Sequence, residues 1–124
     1  MNESSAGPSP AKPLELPDTG SLDLNSNRIE WRQDEEGFPY KSLLEDPAAG
    51  IRTLLMKIEP GAYSPPHAHE EFEQVYVLEG LFYDDHKTYR PGEFIVRAPG
   101  AMHSAGSANG ATLLLVYTPA DTRT

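Results

Sequence analysis

The chain has 124 residues, 38% of them hydrophobic, and a formal charge of −9. That length suits one domain with a core of about a hundred residues, and the negative charge repels phosphate backbones, so nucleic acid is excluded as the expected partner. No basic amphipathic stretch points to a membrane surface, and the lack of cysteine excludes disulfides, a thiolate zinc site and a cysteine nucleophile.

Residues 1–28 are rich in Pro, Ser, Gly and Ala at their start and carry few large apolar groups. Such a segment buries too little surface to offset its ordering entropy. It reads as a flexible N-terminal tail, or an arm that docks on a partner subunit, ahead of a domain spanning 29–120. The first residues lack the basic start and apolar stretch of a signal peptide. The longest apolar run, 113–117, is far too short to cross a bilayer. The cytoplasm is the expected compartment.

From residue 29 the pattern becomes strand-like. Residues 29–33 and 40–44 are short and separated by the turn-like Asp34-Glu35-Glu36-Gly37, and 41–49 has room for a single helical turn. Residues 51–59 alternate: Leu54, Met56 and Ile58 share one face, and Thr53, Leu55, Lys57 and Glu59 the other. Pro60-Gly61 ends that run. Residues 74–78 are β-branched and aromatic, and Glu79-Gly80 turns the chain into 81–83. A polar turn at 84–87, a short strand at 88–90, and strands at 93–97 and 112–118 complete the series. Twelve prolines and ten glycines fit turns at short intervals better than long helices. The pattern predicts an all-β sandwich or barrel.

One region carries chemistry. His67 and His69 are two apart, so on an extended strand both face one side with Cα atoms about 7 Å apart. Two imidazoles so placed converge on one ion at about 2.0–2.1 Å each. Pro65-Pro66 stiffens the approach. Glu73 lies six residues on, so 70–72 must bend the chain back before Glu73 joins the next strand. His103 follows thirty residues later, behind the kink of Ala98-Pro99-Gly100. Three imidazoles and one carboxylate suffice for a divalent transition metal with positions left open, and iron, zinc, manganese, nickel and cobalt all suit such donors. Glu70 and Glu71 read as solvated loop charges and His86 as an exposed imidazole. Asp84 and Asp85 lack the ligand-rich loop of a calcium site. Tyr63, Phe72, Tyr76, Phe82, Phe94 and Met102 are the apolar candidates to line a substrate pocket.

The spacing Gly61-x5-His67-x-His69-x3-Glu73-x6-Gly80 resembles the first motif of the cupin superfamily without a gap. Gly92, Pro99-Gly100 and His103 resemble the second, with Ala98 where that motif usually has proline and Ser107 where it has asparagine. The wording over residues 29–118 is similar to the ChrR-type subgroup. The resemblance implies a small double-stranded β-helix, or jelly-roll barrel, with the metal held inside by the two motifs. It also implies kinship with the sensing half of anti-sigma factors and with small dioxygenases acting on β-diketones or hydroxyacetophenones. The chain has no cysteine and no room for an anti-sigma half, so direct sigma-factor control is not expected. Three functions stay open: a non-haem dioxygenase for a chelating small molecule, a sensor that binds without turnover, and a metal-dependent isomerase or lyase. By analogy with other strand-rich barrels of this kind, a homodimer is expected, with Trp31 as an interface anchor or a buried core residue.

Overall fold

The computed structural model describes residues 11–120. Nine strands follow a 3-10 turn at Ser26–Arg28: β1 (Tyr40–Asp46), β2 (Ile51–Ile58), β3 (Tyr63–His67), β4 (Phe72–Gly80), β5 (Phe82–Tyr83), β6 (Thr88–Tyr89), β7 (Phe94–Arg97), β8 (His103–Gly106) and β9 (Ala111–Thr118). They form two antiparallel sheets, ordered β1-β2-β9-β4-β7 and β3-β8-β5-β6. No helix among the described residues is long and apolar enough to cross a membrane.

The all-β architecture expected from the sequence is observed, and the strand runs lie close to where the alternation places them. Two differences have physical causes. The helical turn allowed within 41–49 is confined to its end: residues 40–46 pair with β2 through a ladder with one bulge at Ser42/Leu44, and only after Asp46 does the chain make a single turn, with Ala49 and Gly50 N–H donating to the Asp46 carbonyl at 3.1 and 2.8 Å. Backbone pairing in the β1–β2 hairpin here outweighs a weak local helical preference. The run 29–33 contributes only the bridge of Arg32 to Tyr40.

The core lies between the sheets and follows side-chain parity. In β9, Ala111, Leu113, Leu115 and Tyr117 are buried while the residues between them are half-buried. In β4, Glu73, Val75 and Val77 point inward, and in β2, Leu54 and Ile58 do so. Phe38 and Phe82 close the cluster. Burying each of these side chains is worth about 1.5–3 kcal/mol.

Part of the segment before residue 29 lies against the sheet. Leu14 bridges Leu44 in parallel, with Leu14 N–H donating to the Leu43 carbonyl (2.8 Å) and Glu45 N–H to the Leu14 carbonyl (2.8 Å). The expected tail thus includes residues seated on the β1 edge; its first ten residues lie outside the described ones. Trp31 is 39% exposed, and the ammonium groups of Lys41 and Lys57 sit 4.7 and 4.5 Å from its ring centroid.

The two glycines that bracket the histidine region do different work. Both have positive φ, +82° at Gly61 and +75° at Gly80. A Cβ on Gly61 would meet open space, whereas one on Gly80 would collide with the backbone of Gly110 and Ala111. Gly61→Ala is therefore expected to cost about 1 kcal/mol in strain alone. Gly80→Ala should cost more than roughly 2 kcal/mol, because backbone must move. Urea unfolding of the two variants checks the order.

Candidate metal centre

The two sheets contribute to the site from opposite sides. β3 ends at His67, which pairs directly across the ladder with His103, the first residue of β8. Their rings are 4.5 Å apart, centroid to centroid. His69 lies just beyond β3, and its loop is tied down by Gly100 N–H, which donates to the His69 carbonyl at 2.7 Å. The His69 ring stands 5.1 Å from that of His67 and 5.4 Å from that of His103. One ring nitrogen from each of the three lies within 4.8 Å of the others.

The five-stranded sheet supplies the other wall. Glu73 on β4 is in register with Arg97 on β7 and with Tyr117 on β9, so all three project from one face in a row. The Glu73 carboxylate is buried. Its Oε2 accepts from the Tyr117 hydroxyl at 2.6 Å and lies 3.7 Å from His69 Nε2. Its Oε1 is 3.4 Å from both His103 Nε2 and Arg97 Nε. The carboxylate is thus close to two of the three imidazoles, and His67 lies further off, across the cluster.

Backbone carbonyls set the tautomers. His67 Nδ1 lies 2.8 Å from the Pro65 carbonyl and His103 Nδ1 3.1 Å from that of Ala101. A carbonyl only accepts, so each Nδ1 carries the proton and each Nε2 keeps its lone pair, which is the form that ligates. Burial, helped by the nearby Arg97 charge and opposed by Glu73, holds the His103 imidazole below its usual range. Burial, followed by the Glu73 charge and hydrogen bond, pushes the Tyr117 hydroxyl well up, so it stays a donor. Three imidazoles with a carboxylate beside two of them are a donor set that fits a divalent transition metal.

A cavity of about 130 Å³ opens at this cluster. Its polar end is formed by His67, His69, His103, Glu73, Arg97 and Tyr117, and its floor by Met56, Ile58, Val75, Phe82, Leu113 and Leu115. Of the six aromatic and apolar candidates from the sequence, Phe82 is part of this lining. Tyr63, Tyr76, Phe94 and Met102 are exposed and Phe72 is half-buried, and none of these five lines the cavity. The reason is parity: Tyr76 lies between inward Val75 and Val77, so it must face out. Tyr63 stacks on Tyr83 outside the cavity instead.

Sequence reasoning missed Arg97, Tyr117 and Asp84. Tyr117 shares parity with Leu113 and Leu115, a signal that it points inward. Asp84, expected in a solvated turn, is buried. It accepts from the backbone N–H groups of His86 (2.8 Å) and Lys87 (3.1 Å), the Tyr89 hydroxyl (2.9 Å) and Arg97 Nη2 (3.1 Å). Burial pushes its carboxyl up, but these four donors outweigh burial, and the net shift is downward. His86 is exposed, as expected from its turn.

Comparison with known proteins bears on the fold and the family. The model of the ChrR cupin-like domain matches residues 21–121. No curated protein matches the sequence significantly. Among solved structures, KdgF from Halomonas sp. is 24% identical with a TM-score of 0.67, covering 80% of this chain and 94% of that one. The polyketide cyclase RemF from Streptomyces resistomycificus is 22% identical with a TM-score of 0.70, covering 82% and 81%. The complex of Rhodobacter sphaeroides SigE with the anti-sigma ChrR matches at 23% identity and a TM-score of 0.62, covering 73% of this chain and 49% of that chain. At these identities the likeness establishes a shared cupin fold.

The depressed Asp84 carboxyl stabilises the fold above its unfolded value near 3.8, and that contribution is lost as pH falls through the lower folded value. Asp84→Asn is expected to lower stability at pH 7 by about 2 kcal/mol, since it removes a charged partner of buried Arg97. The gap to the parent chain should narrow below pH 3.8. Denaturant unfolding across pH measures both.

Proposed function

The chain belongs to the ChrR cupin-like domain family, and from that premise we propose that it is a metal-dependent oxygenase for a small chelating ketone of the β-diketone class. The observation that carries this reading is the cavity itself: nitrogen and oxygen donors crowd one end, and an apolar floor fills the other. Chelating substrates have a polar edge and a greasy body, and such a pocket suits both. Its volume, about 130 Å³, has room for the body of a small ketone. A dry engineered cavity of about 150 Å³ takes a single benzene.

In this proposal His67, His69 and His103 hold the metal, with Glu73 as the fourth donor. A bound divalent ion, iron in this reading, supplies Lewis-acid charge and a template that orients a chelate and dioxygen. The chain's own residues do the rest. The Pro65 and Ala101 carbonyls keep His67 and His103 in the ligating tautomer. The Tyr117 hydroxyl holds the Glu73 carboxylate in place, with the Arg97 charge beside it. Met56, Val75 and Leu115 exclude water from the substrate body, which strengthens every charge interaction beside it.

A second reading, a barrel that binds a small molecule without turnover, rests on the resemblance to the sensing half of anti-sigma factors. Oxygen uptake separates the two. Iron-loaded protein with acetylacetone should consume oxygen in the first case, and in the second should bind the diketone without consuming any. Metal content tests the ligand set beneath both readings. His69→Ala should lose the ion on dialysis, whereas Glu73→Gln, which keeps shape and an oxygen donor, should weaken retention only about tenfold. One ion per chain in both variants, by elemental analysis, would rule out these ligands.

A homodimer is part of the proposal. β7 is an edge of the five-stranded sheet, and Phe94 and Val96 face solvent beside Tyr76. Light scattering on the full chain should give twice the chain mass, and Phe94→Lys with Val96→Glu should return it to one.

A further inference from the structure

Arg97 is placed as no purely structural cation needs to be. Its side chain is 10% exposed, yet it reaches the wall of the cavity that holds the three imidazoles. One edge of the guanidinium is anchored: Nη2 donates to Asp84, whose side chain is fully buried and held by three further donors. The other edge is not. Arg97 Nε is buried and donates to no hydrogen-bond acceptor. Its nearest charged atom is Glu73 Oε1 at 3.4 Å, beyond the usual range for an N–H···O bond. A buried guanidinium N–H without an acceptor costs free energy that an incoming anionic oxygen recovers.

The charge count points the same way. The buried ionic groups around the cavity are the carboxylates of Glu73 and Asp84 and the guanidinium of Arg97, which together give minus one. A divalent ion at the histidines brings the total to plus one, and a monoanion neutralises it. Other charges are remote or paired: Arg52 binds Glu71 at 3.2 Å, and Glu35 at the cavity mouth is exposed and screened by water.

We propose that Arg97 is the specificity-determining residue of this site, selecting small ligands that present a negatively charged oxygen, as an enolate or carboxylate does, over neutral ligands of the same shape. The inference rests on the metal-binding reading above and adds the charge of the ligand to it.

Glycolate and glycolamide are the probes. They match in size and donor placement and differ in charge. Calorimetry on the zinc-loaded full chain compares their affinities for the parent, Arg97→Met and Arg97→Lys. The metal favours the anion in every variant, so the informative quantity is how the preference changes. Arg97→Met should reduce the glycolate preference about tenfold through weaker glycolate binding, with glycolamide affinity held within about twofold and zinc at one per chain. Arg97→Lys should keep part of the preference, since it retains charge but loses the planar fork. If Arg97→Met does not fold, the pair Arg97→Met with Asp84→Asn removes the stranded carboxylate and carries the same expectation. An unchanged preference, or equal weakening of both probes, would show that Arg97 only braces Glu73 and Asp84, and would overturn the proposal while leaving the metal site standing. A parent chain that holds no zinc ends both readings.

Discussion

A carboxylate buried between two sheets has to be paired, because an isolated charge in that setting costs several kcal/mol. Glu73 is that group, and much of the inner architecture answers to it. Its neighbours in register, Arg97 on one side and Tyr117 on the other, each come from a different strand of the same sheet. The imidazoles of His69 and His103 approach from the loop and sheet opposite. Arg97 in turn needs Asp84, and Asp84 needs Tyr89 and two backbone donors in the turn between β5 and β6. A single inward acid thereby couples β4, β7, β9, the β5–β6 turn and the histidine loops into one polar network set against an apolar floor.

This arrangement also explains why the site sits where it does. β3 and β8 meet at the His67–His103 pair, and the five-stranded sheet faces them with its Glu73 row. The apolar layer of Val75, Leu113 and Leu115 continues inward from that row with the same parity. Polar and apolar halves of the cavity therefore arise from one rule, alternation along strands, applied to β4 and β9.

The histidines and Glu73 were legible because donors from two short segments keep local spacings that survive in the linear order. Strand positions were legible from alternation, which grouped Leu54, Met56 and Ile58 on one face of β2. Arg97 and Asp84 were not legible, since their roles depend on which strands lie side by side, and register is a long-range property. Asp84 looked like a surface residue because Asp84-Asp85-His86-Lys87 is a polar run; only the fold turns one of its members inward. Five of the six pocket candidates lie outside the lining of this cavity for a different reason. Size and hydrophobicity were weighed at Tyr76 and Phe94 without the parity that Val75 and Ile95 already implied. Ser107, standing where the resemblance implies asparagine, is buried and pins two loops: its hydroxyl donates to the Leu81 carbonyl at 2.5 Å and accepts from Gly110 N–H at 2.8 Å.

The two margins of the five-stranded sheet are unequal. Along β1, Arg32 exchanges two backbone hydrogen bonds with Tyr40, and Leu14 occupies the ladder at Leu43 and Glu45. No such segment lies along β7 among the described residues. Fibril growth by strand addition needs a free template on both flanks of a subunit, one to receive and one to pass on. With one flank partly covered by its own polypeptide, this sheet offers a neighbour one open margin rather than two, and the inward-pointing charge of Arg97 on β7 disfavours strand addition at that margin as well.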